Sequence, residues 1–350
     1  MRELHVAKSD LRTTRVAEVE PRALGEGQAR LKLDLFALTS NNITYAAMGD
    51  GVLGYWDFFP GPDGWSKTPV WGFGTVVESN APGVEVGARY YGYYPIAETL
   101  DVTPRANASG FYDTAPHREG KSPFYNQYVN VASDPAYDAA FEAEQTLFRP
   151  LYATGWWAAD CITQGAAKTV VLSSASSKTA LATAHQLRKL GGVELVGLTS
   201  AGNADYVRES GLYDRVALYD EVSALQANAP ATFVDFLGRG EITAAVHRAL
   251  GDALTRSIII GITDWQAPRG GAPLPGPTPE FFFVPSYAAE RLKAEPGLGP
   301  AMMRDLRTFY GASRALVTAQ RGTGAEAIQE AWGRLAAGAV PPRDGLVLSF

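Results

Sequence analysis

The sequence predicts an α/β protein of two domains, a β-rich domain followed by a doubly wound one with a parallel sheet. Three observations predict it. The 350 residues exceed one typical core of ~100 to 200 residues. The first third alternates apolar and polar positions with period two, between clusters of Gly, Pro, Asn and Asp. From about Leu151 the texture changes to short runs rich in Val, Ile and Leu, separated by helical segments. Such runs fit a parallel sheet covered on both faces.

In the first third, strands are expected at LHVAKS, RLKLDLFAL, VWGFGTVVES, ARYYGYYPI and NQYVNVA, enough for a small barrel or sandwich. Between the second and third of these lies GDGVLGYWDFFPGPDGWSKTP, a loop of ~20 residues that carries Tyr55, Trp56, Phe58, Phe59 and Trp65. Two readings of its rings stand side by side: a functional loop, or aromatics packed over the end of the β domain.

The middle third opens with TVVLSS (169 to 174), an apolar run ending in serines, and continues with KTALATAHQLRKL. There Ala180, Leu181, Ala184, Leu187 and Leu190 share one helical face. Further strands are expected at ELVGLTS, RVALYD, TFVDFLG and SIIIGITDW, with helices from Asn203 to Ser210 and from near Glu241. Proline and glycine in QAPRGGAPLPGPTPE rule out a regular element there. FFFVPSY (281 to 287) reads as an edge strand because Pro285 cannot donate to a ladder. A helix with Ile328, Trp332 and Leu335 on one face then feeds a short terminal strand. The expected domains are 1–148 and 149–295, with about 296–350 completing the first.

Composition narrows the function. At 46% hydrophobic and 19% charged residues, with a mean hydropathy of -0.10, the chain has ample material for two cores. The net charge of -6 is spread without runs of either sign, which argues against nucleic acid or anionic lipid as partner. The opening residues lack an apolar signal region, and no stretch of roughly 18 apolar residues occurs, so no membrane and a cytoplasmic location are expected. Cys161 is the one cysteine, which excludes an intramolecular disulfide and any cysteine-cluster zinc site. His5, His117, His185 and His247 have no metal-site spacing, and no metal is expected.

In order along the chain, several segments resemble the medium-chain dehydrogenase/reductase superfamily, and within it the zinc-free quinone and enoyl reductases. GEGQARLKLDLFALTSNN resembles the family's opening segment, and WGFGTVVESNAPGVEVGARYYGYYP its glycine-rich segment before "G-D-R-V-Y-G". LFRPLYATGWWAAD resembles the helix before the nucleotide domain, GAAKTVVLSSASSKTALATAHQLRKLGG its first βα unit, and FVDFLGRGE and GAVPPRDGLVLSF later strands. Agreement in order across the chain carries the resemblance, since each segment alone is a weak match. It implies a GroES-like domain plus a Rossmann domain, NADP as cofactor, a small-molecule substrate and a homodimer through the edge strand of the nucleotide domain.

The departures from the family pattern define the candidate sites. Where the dinucleotide fingerprint has glycines, this chain has Ala175, Lys178 and Leu181, so close backbone approach to a pyrophosphate is expected to be partly blocked. The turn instead offers Ser174, Ser176, Ser177, Lys178 and Thr179 at a helix N-terminus, whose amides and dipole favour phosphate. The plain alternative is a serine helix cap beside a solvated lysine. A P-loop is excluded, because Leu172 and Ser177 replace both glycines of GxxxxGK[ST]. After the second parallel strand come Thr199, Ser200, Ala201, Gly202 and Asn203, with no carboxylate to hold a ribose 2′-OH before Asp205. That favours NADP over NAD, with Ser200 and Asn203 as donors to a 2′-phosphate.

The resemblance also places Thr154, Gly238 and Gly261 beside the nicotinamide end, where turn glycines are the plain alternative for the last two. Zinc-dependent members carry a cysteine where this chain has Thr39-Ser40-Asn41-Asn42, so a Lewis-acid alcohol dehydrogenase is not expected. Hydride would go to a C=C or quinone-like acceptor polarised by hydrogen bonds, with Asn42, Tyr45 and Tyr55 as candidate donors in a cleft lined by aromatics. A buried tyrosine also needs a partner for its own hydroxyl, which leaves a structural role open for each. The reading of another class is a member of the superfamily that binds a ligand or assembles without catalysis.

Overall fold

The computed structural model describes residues 1–51, 54–260 and 274–350. Two compact units emerge: Met1–Leu147 with Val317–Phe350, and Phe148–Leu316.

The first unit is built on a nine-stranded mixed sheet. Its main path runs Thr318–Thr323, Asp344–Ser349, Ala29–Leu38, Pro69–Ser79, Arg89–Pro95, Gln127–Asn130, Gly110–Asp113, Pro104–Asn107. A smaller sheet orders Asp10–Glu18, Arg2–Ala7 and Trp65–Ser66. In the strand Ala29–Leu38, Ala29, Leu31 and Leu33 are buried while Lys32 is exposed, the alternation that the sequence shows. The register then shifts between Leu33 and Leu35, and Phe36, Ala37 and Leu38 are buried in succession. A bulge there turns the strand, which is why period two fails in its second half. At the facing position Gly72 is required by close approach: a Cβ would lie 2.3 Å from the Leu35 carbonyl oxygen.

The second unit carries a six-stranded parallel sheet in the order Arg215–Leu218, Glu194–Thr199, Thr169–Leu172, Ala231–Asp235, Leu254–Ile259, Glu280–Phe281. In chain order that is 3-2-1-4-5-6, so the order reverses between the first and fourth strands. Thr169–Leu172 and Ala231–Asp235 are buried along their whole length, as their continuous apolar runs require. Val171, Val196, Leu198, Phe233 and Val246 form the centre of one core. The helix Lys178–Leu190 buries Ala180, Leu181, Ala184 and Leu187 as expected; Leu190, at its last position, is 51% exposed.

Three expectations need correction. FFFVPSY is not a long edge strand, since the edge strand is Glu280–Phe281 and the helix Val284–Ala294 comes next, with Pro285 in its first turn. A proline there loses no hydrogen bond, and its fixed φ suits the helix start. The strand Thr318–Thr323 was not expected, because TAQRGT is polar and mostly exposed and gives no apolar alternation. The helix Leu298–Leu316, with Met302, Leu306 and Phe309 buried, groups with the second unit rather than with the first. The end of the SIIIGITDW segment, from 261, lies outside the described residues.

Candidate functional site

In the second unit the site grows from the turn between Thr169–Leu172 and the helix Lys178–Leu190. Ser177 caps the helix, its Oγ accepting the Ala180 amide at 3.3 Å, while its own amide donates to the Ser174 carbonyl at 2.7 Å. Lys178 and Thr179 are the first helical residues, whose amides have no intrahelical acceptor by geometry. Ser174 holds φ +49, a left-handed conformation costly for a residue with a Cβ, and its amide donates to Tyr219 Oη at 2.9 Å. The turn is therefore pinned at Ser174 and Ser177, with Ser176 buried and Lys178 and Thr179 partly exposed.

Two of the three fingerprint substitutions turn their side chains away from this surface. Ala175 is fully buried, and its Cβ would lie 3.0 Å from a Cβ built on Gly197, so its methyl faces the second strand. The Ala175 amide donates to the Leu198 carbonyl at 3.1 Å, and its carbonyl accepts from Tyr213 Oη at 2.9 Å. Leu181 is also fully buried. Of the three residues in glycine places, only Lys178 is partly exposed. The expected block at Ala175 is thus corrected, because the side chain packs inward.

The structure brings several candidates together. Asn203 Nδ2 donates to Ser176 Oγ at 3.2 Å, which joins the end of the second strand to the serine turn. Ser200 starts the short turn Ala201–Asn203 and is partly exposed. Beside it, the buried Thr199 hydroxyl, 1% exposed, has no hydrogen-bond partner among the described residues. Arg208 pairs with Asp205 at 2.8 Å on the surface, an exposed pair worth little on its own. Gly238 takes φ +75 and donates its amide to Asp235 Oδ1 at 3.1 Å, so it serves as a turn glycine. Thr154 lies in the helix Glu142–Thr163, and its Oγ1 donates to the Pro150 carbonyl one turn back at 3.0 Å. Gly261 lies outside the described residues.

Sequence reasoning missed Ser173 and Asp235. Ser173 Oγ donates to Asp235 Oδ1 at 2.7 Å and accepts the Phe236 and Leu237 amides at 2.9 and 3.1 Å. Asp235 Oδ1 also accepts the Leu237 amide at 2.9 Å, and Oδ2 accepts Thr243 Oγ1 at 2.8 Å. The available signal was an acidic residue inside the apolar run TFVDFLG.

The donors proposed in the first unit sit in a different environment. Asn42 is 3% exposed and already spent: Oδ1 accepts the Thr39 amide at 2.7 Å and Nδ2 donates to the Pro69 carbonyl at 2.9 Å. Tyr45 Oη accepts Trp71 Nε1 at 3.1 Å, and Tyr55 Oη lies 3.2 Å from Tyr125 Oη. Burial raises both phenols above their usual value, with the neighbouring Tyr55 adding to the effect at Tyr45. They hold their protons at working pH and can donate but not act as bases. Tyr55, Phe58 and Phe59 from the aromatic loop join Tyr45, Trp71 and Tyr93 in one buried cluster. Trp65 packs instead under the Arg15 guanidinium at 4.1 Å.

A pocket of about 570 Å³ in the same unit opens on Arg105, Tyr112, Thr114, Glu119, Lys121 and Asn126 and includes none of the candidate residues. Among the described residues no group of three His, Cys, Asp or Glu side chains could hold a metal, and no helix is long and apolar enough to cross a membrane.

A GroES-like unit and a Rossmann unit give this chain the fold of the medium-chain dehydrogenase/reductases. Solved structures that it resembles include CurA from Vibrio vulnificus in complex with NADPH, at 14% identity and a TM-score of 0.63, with 100% of this chain and 99% of that one covered. The yhdH oxidoreductase from Salmonella enterica in complex with NADP is 15% identical, with a TM-score of 0.56 and 100% of both chains covered. A mutant form of enoyl thioester reductase from Candida tropicalis is 10% identical, with a TM-score of 0.60 and 100% and 99% covered. None of the curated proteins matches the chain. A family model described as "Protein of unknown function (DUF2855)" matches residues 36–341, and the chain belongs to that family.

Proposed function

We propose that this chain is a zinc-independent, NADPH-dependent reductase that delivers hydride to an activated C=C or quinone-like acceptor. The observation that carries the reading is the 3-2-1-4-5-6 sheet, whose order reverses beside a serine-rich turn and a helix start. Ligands of such sheets collect at the carboxyl ends of the strands where the order reverses. The inward packing of Ala175 and Leu181 supports room for a dinucleotide there, and structures of the same fold carry NADPH or NADP.

In this reading Ser174, Ser176, Ser177, Lys178 and Thr179 face the phosphates, and Ser200 and Asn203 the 2′-phosphate. Thr154 and Gly238 border the nicotinamide, which supplies the hydride when bound. Tyr45 and Tyr55 remain the candidate donors to the acceptor carbonyl, while Asn42 would have to give up its hydrogen bonds to join them. A homodimer through the edge strand Glu280–Phe281 is part of the proposal, supported by Phe281 at 60% exposure. Sedimentation of Phe281→Asp beside the parent chain tests it; identical mass at all concentrations would refute it.

A second reading, ligand binding without catalysis, is favoured by one observation: the polar atoms of Asn42, Tyr45 and Tyr55 are satisfied inside the first unit. Calorimetric titration with NADPH and NADH, then acceptor-dependent NADPH oxidation, separates the two. Tight NADPH binding, weakened about tenfold in Lys178→Ala, with turnover supports the reductase. Binding without turnover on any enone or quinone supports the second reading, and no binding of either nucleotide contradicts the first.

A further inference from the structure

The Asp235 carboxylate is 2% exposed at the end of the fourth parallel strand, and Ser173 is fully buried at the end of the first. A serine hydroxyl has one proton and two lone pairs. Here the proton goes to Asp235 and the lone pairs to the Phe236 and Leu237 amides, so every valence of Ser173 Oγ is spent on the neighbouring turn. Asp235 in turn gathers the amides of Leu237 and Gly238 and the hydroxyl of Thr243, in the helix Gly240–Leu250.

We propose that Ser173 and Asp235 are positioning residues whose hydrogen bond locks the turn after the first strand to the turn after the fourth. The inference rests on the dinucleotide reading above and adds how its binding surface is set before a ligand arrives. Ser173 directly precedes Ser174, whose left-handed φ and bond to Tyr219 fix the serine turn. Asp235 fixes the residues up to Gly238, just ahead of the helix Gly240–Leu250. Without the cross-link the strand ends stay joined by the Ser173 amide, which donates to the Val234 carbonyl at 3.0 Å, but the two turns beyond them can shift, and binding geometry tolerates only about 0.5 Å.

Two variants of the full chain separate positioning from bulk stability. Ser173→Ala and Thr243→Val each remove one hydrogen bond to the same carboxylate, but only the first bond crosses between the turns. Both are expected to lower Tm. The Kd for NADPH is expected to rise about tenfold in Ser173→Ala and less than about twofold in Thr243→Val. Equal Kd values in both variants and the parent, with Tm lowered, would overturn the proposal and leave a purely structural bond.

Amide hydrogen exchange needs no cofactor and tests the coupling by itself. Faster exchange in Ser173→Ala at both 174–177 and 236–238 supports it, and acceleration confined to 236–238 overturns it. A parent chain that binds neither NADPH nor NADH refutes the dinucleotide reading, and the exchange result then decides the coupling alone.

Discussion

The tyrosines of the first unit and the serine turn of the second dispose of their polar atoms in opposite ways. Tyr45, Tyr55 and Asn42 turn their oxygens and nitrogens into the protein, where Trp71, Tyr125, Thr39 and Pro69 satisfy them. Around the serine turn the inward work is done by Ser173, Ala175 and Asp235, and Ser174, Ser177, Lys178 and Thr179 stay partly exposed. The difference teaches where a ligand gains most. Polar groups already paired in a dry core must break bonds to meet it, whereas the amides of a partly exposed helix start reach a ligand at less cost.

The largest break in this comparison is expected from Asp235→Ala. It strips the acceptor from Ser173, Thr243 and two backbone amides in a buried place, at a cost of about 3 to 5 kcal/mol in urea unfolding. A loss below about 1 kcal/mol would show that water replaces the carboxylate and that the turns are not tightly held. Tyr45→Phe ranks next, at about 1 to 2 kcal/mol, because Trp71 Nε1 is left buried without an acceptor. If the same variant keeps its stability but loses turnover at unchanged NADPH affinity, the tyrosine belongs to the reaction rather than to the core. Ser177→Ala should cost about 1 kcal/mol as a lost helix cap, and weaken NADPH as well if the turn holds phosphate.

The smallest effect concerns pH in the first unit. Burial alone would raise the Glu3 carboxyl, but hydrogen bonds from His5 and Lys67 and the Lys67 charge outweigh it and hold Glu3 below its ordinary value. A lowered carboxylate stabilises the fold above the unfolded-state value and loses that contribution as pH falls through the folded-state value. Thermal unfolding of the parent and of Glu3→Gln should therefore differ at pH 7 and converge only as the pH falls below the lowered folded-state value. A gap that persists at low pH would mean that Glu3 acts by packing alone.

Much of the fold was legible because apolar periodicity reports burial directly. TVVL, ELVGLT and the buried face of KTALATAHQLRKL lie where the pattern places them. Pro285 was misread because proline fits both a strand edge and a helix start, and its neighbours in sequence do not decide between them. The bulge in Ala29–Leu38 was hidden because a shifted register leaves the local composition unchanged.

At the candidate site the serines and Lys178 could be named from the turn and Asn203 from the end of the second strand, and the Ser176–Asn203 contact joins them. Whether Ala175 blocks the turn was not legible, because it depends on Gly197 and Tyr213 behind it. The Ser173–Asp235 bond links residues 62 positions apart and needs the parallel pairing of their strands to be seen.

Hydrogen exchange with and without saturating NADPH reads both regions in one experiment and so decides whether the serine turn holds the nucleotide. Protection is expected at 173–179 and 236–243, with exchange in the tyrosine-bearing segments 42–48 and 55–59 far less changed. Protection confined to the tyrosine segments, or no protection at the serine turn, would contradict nucleotide binding at that turn.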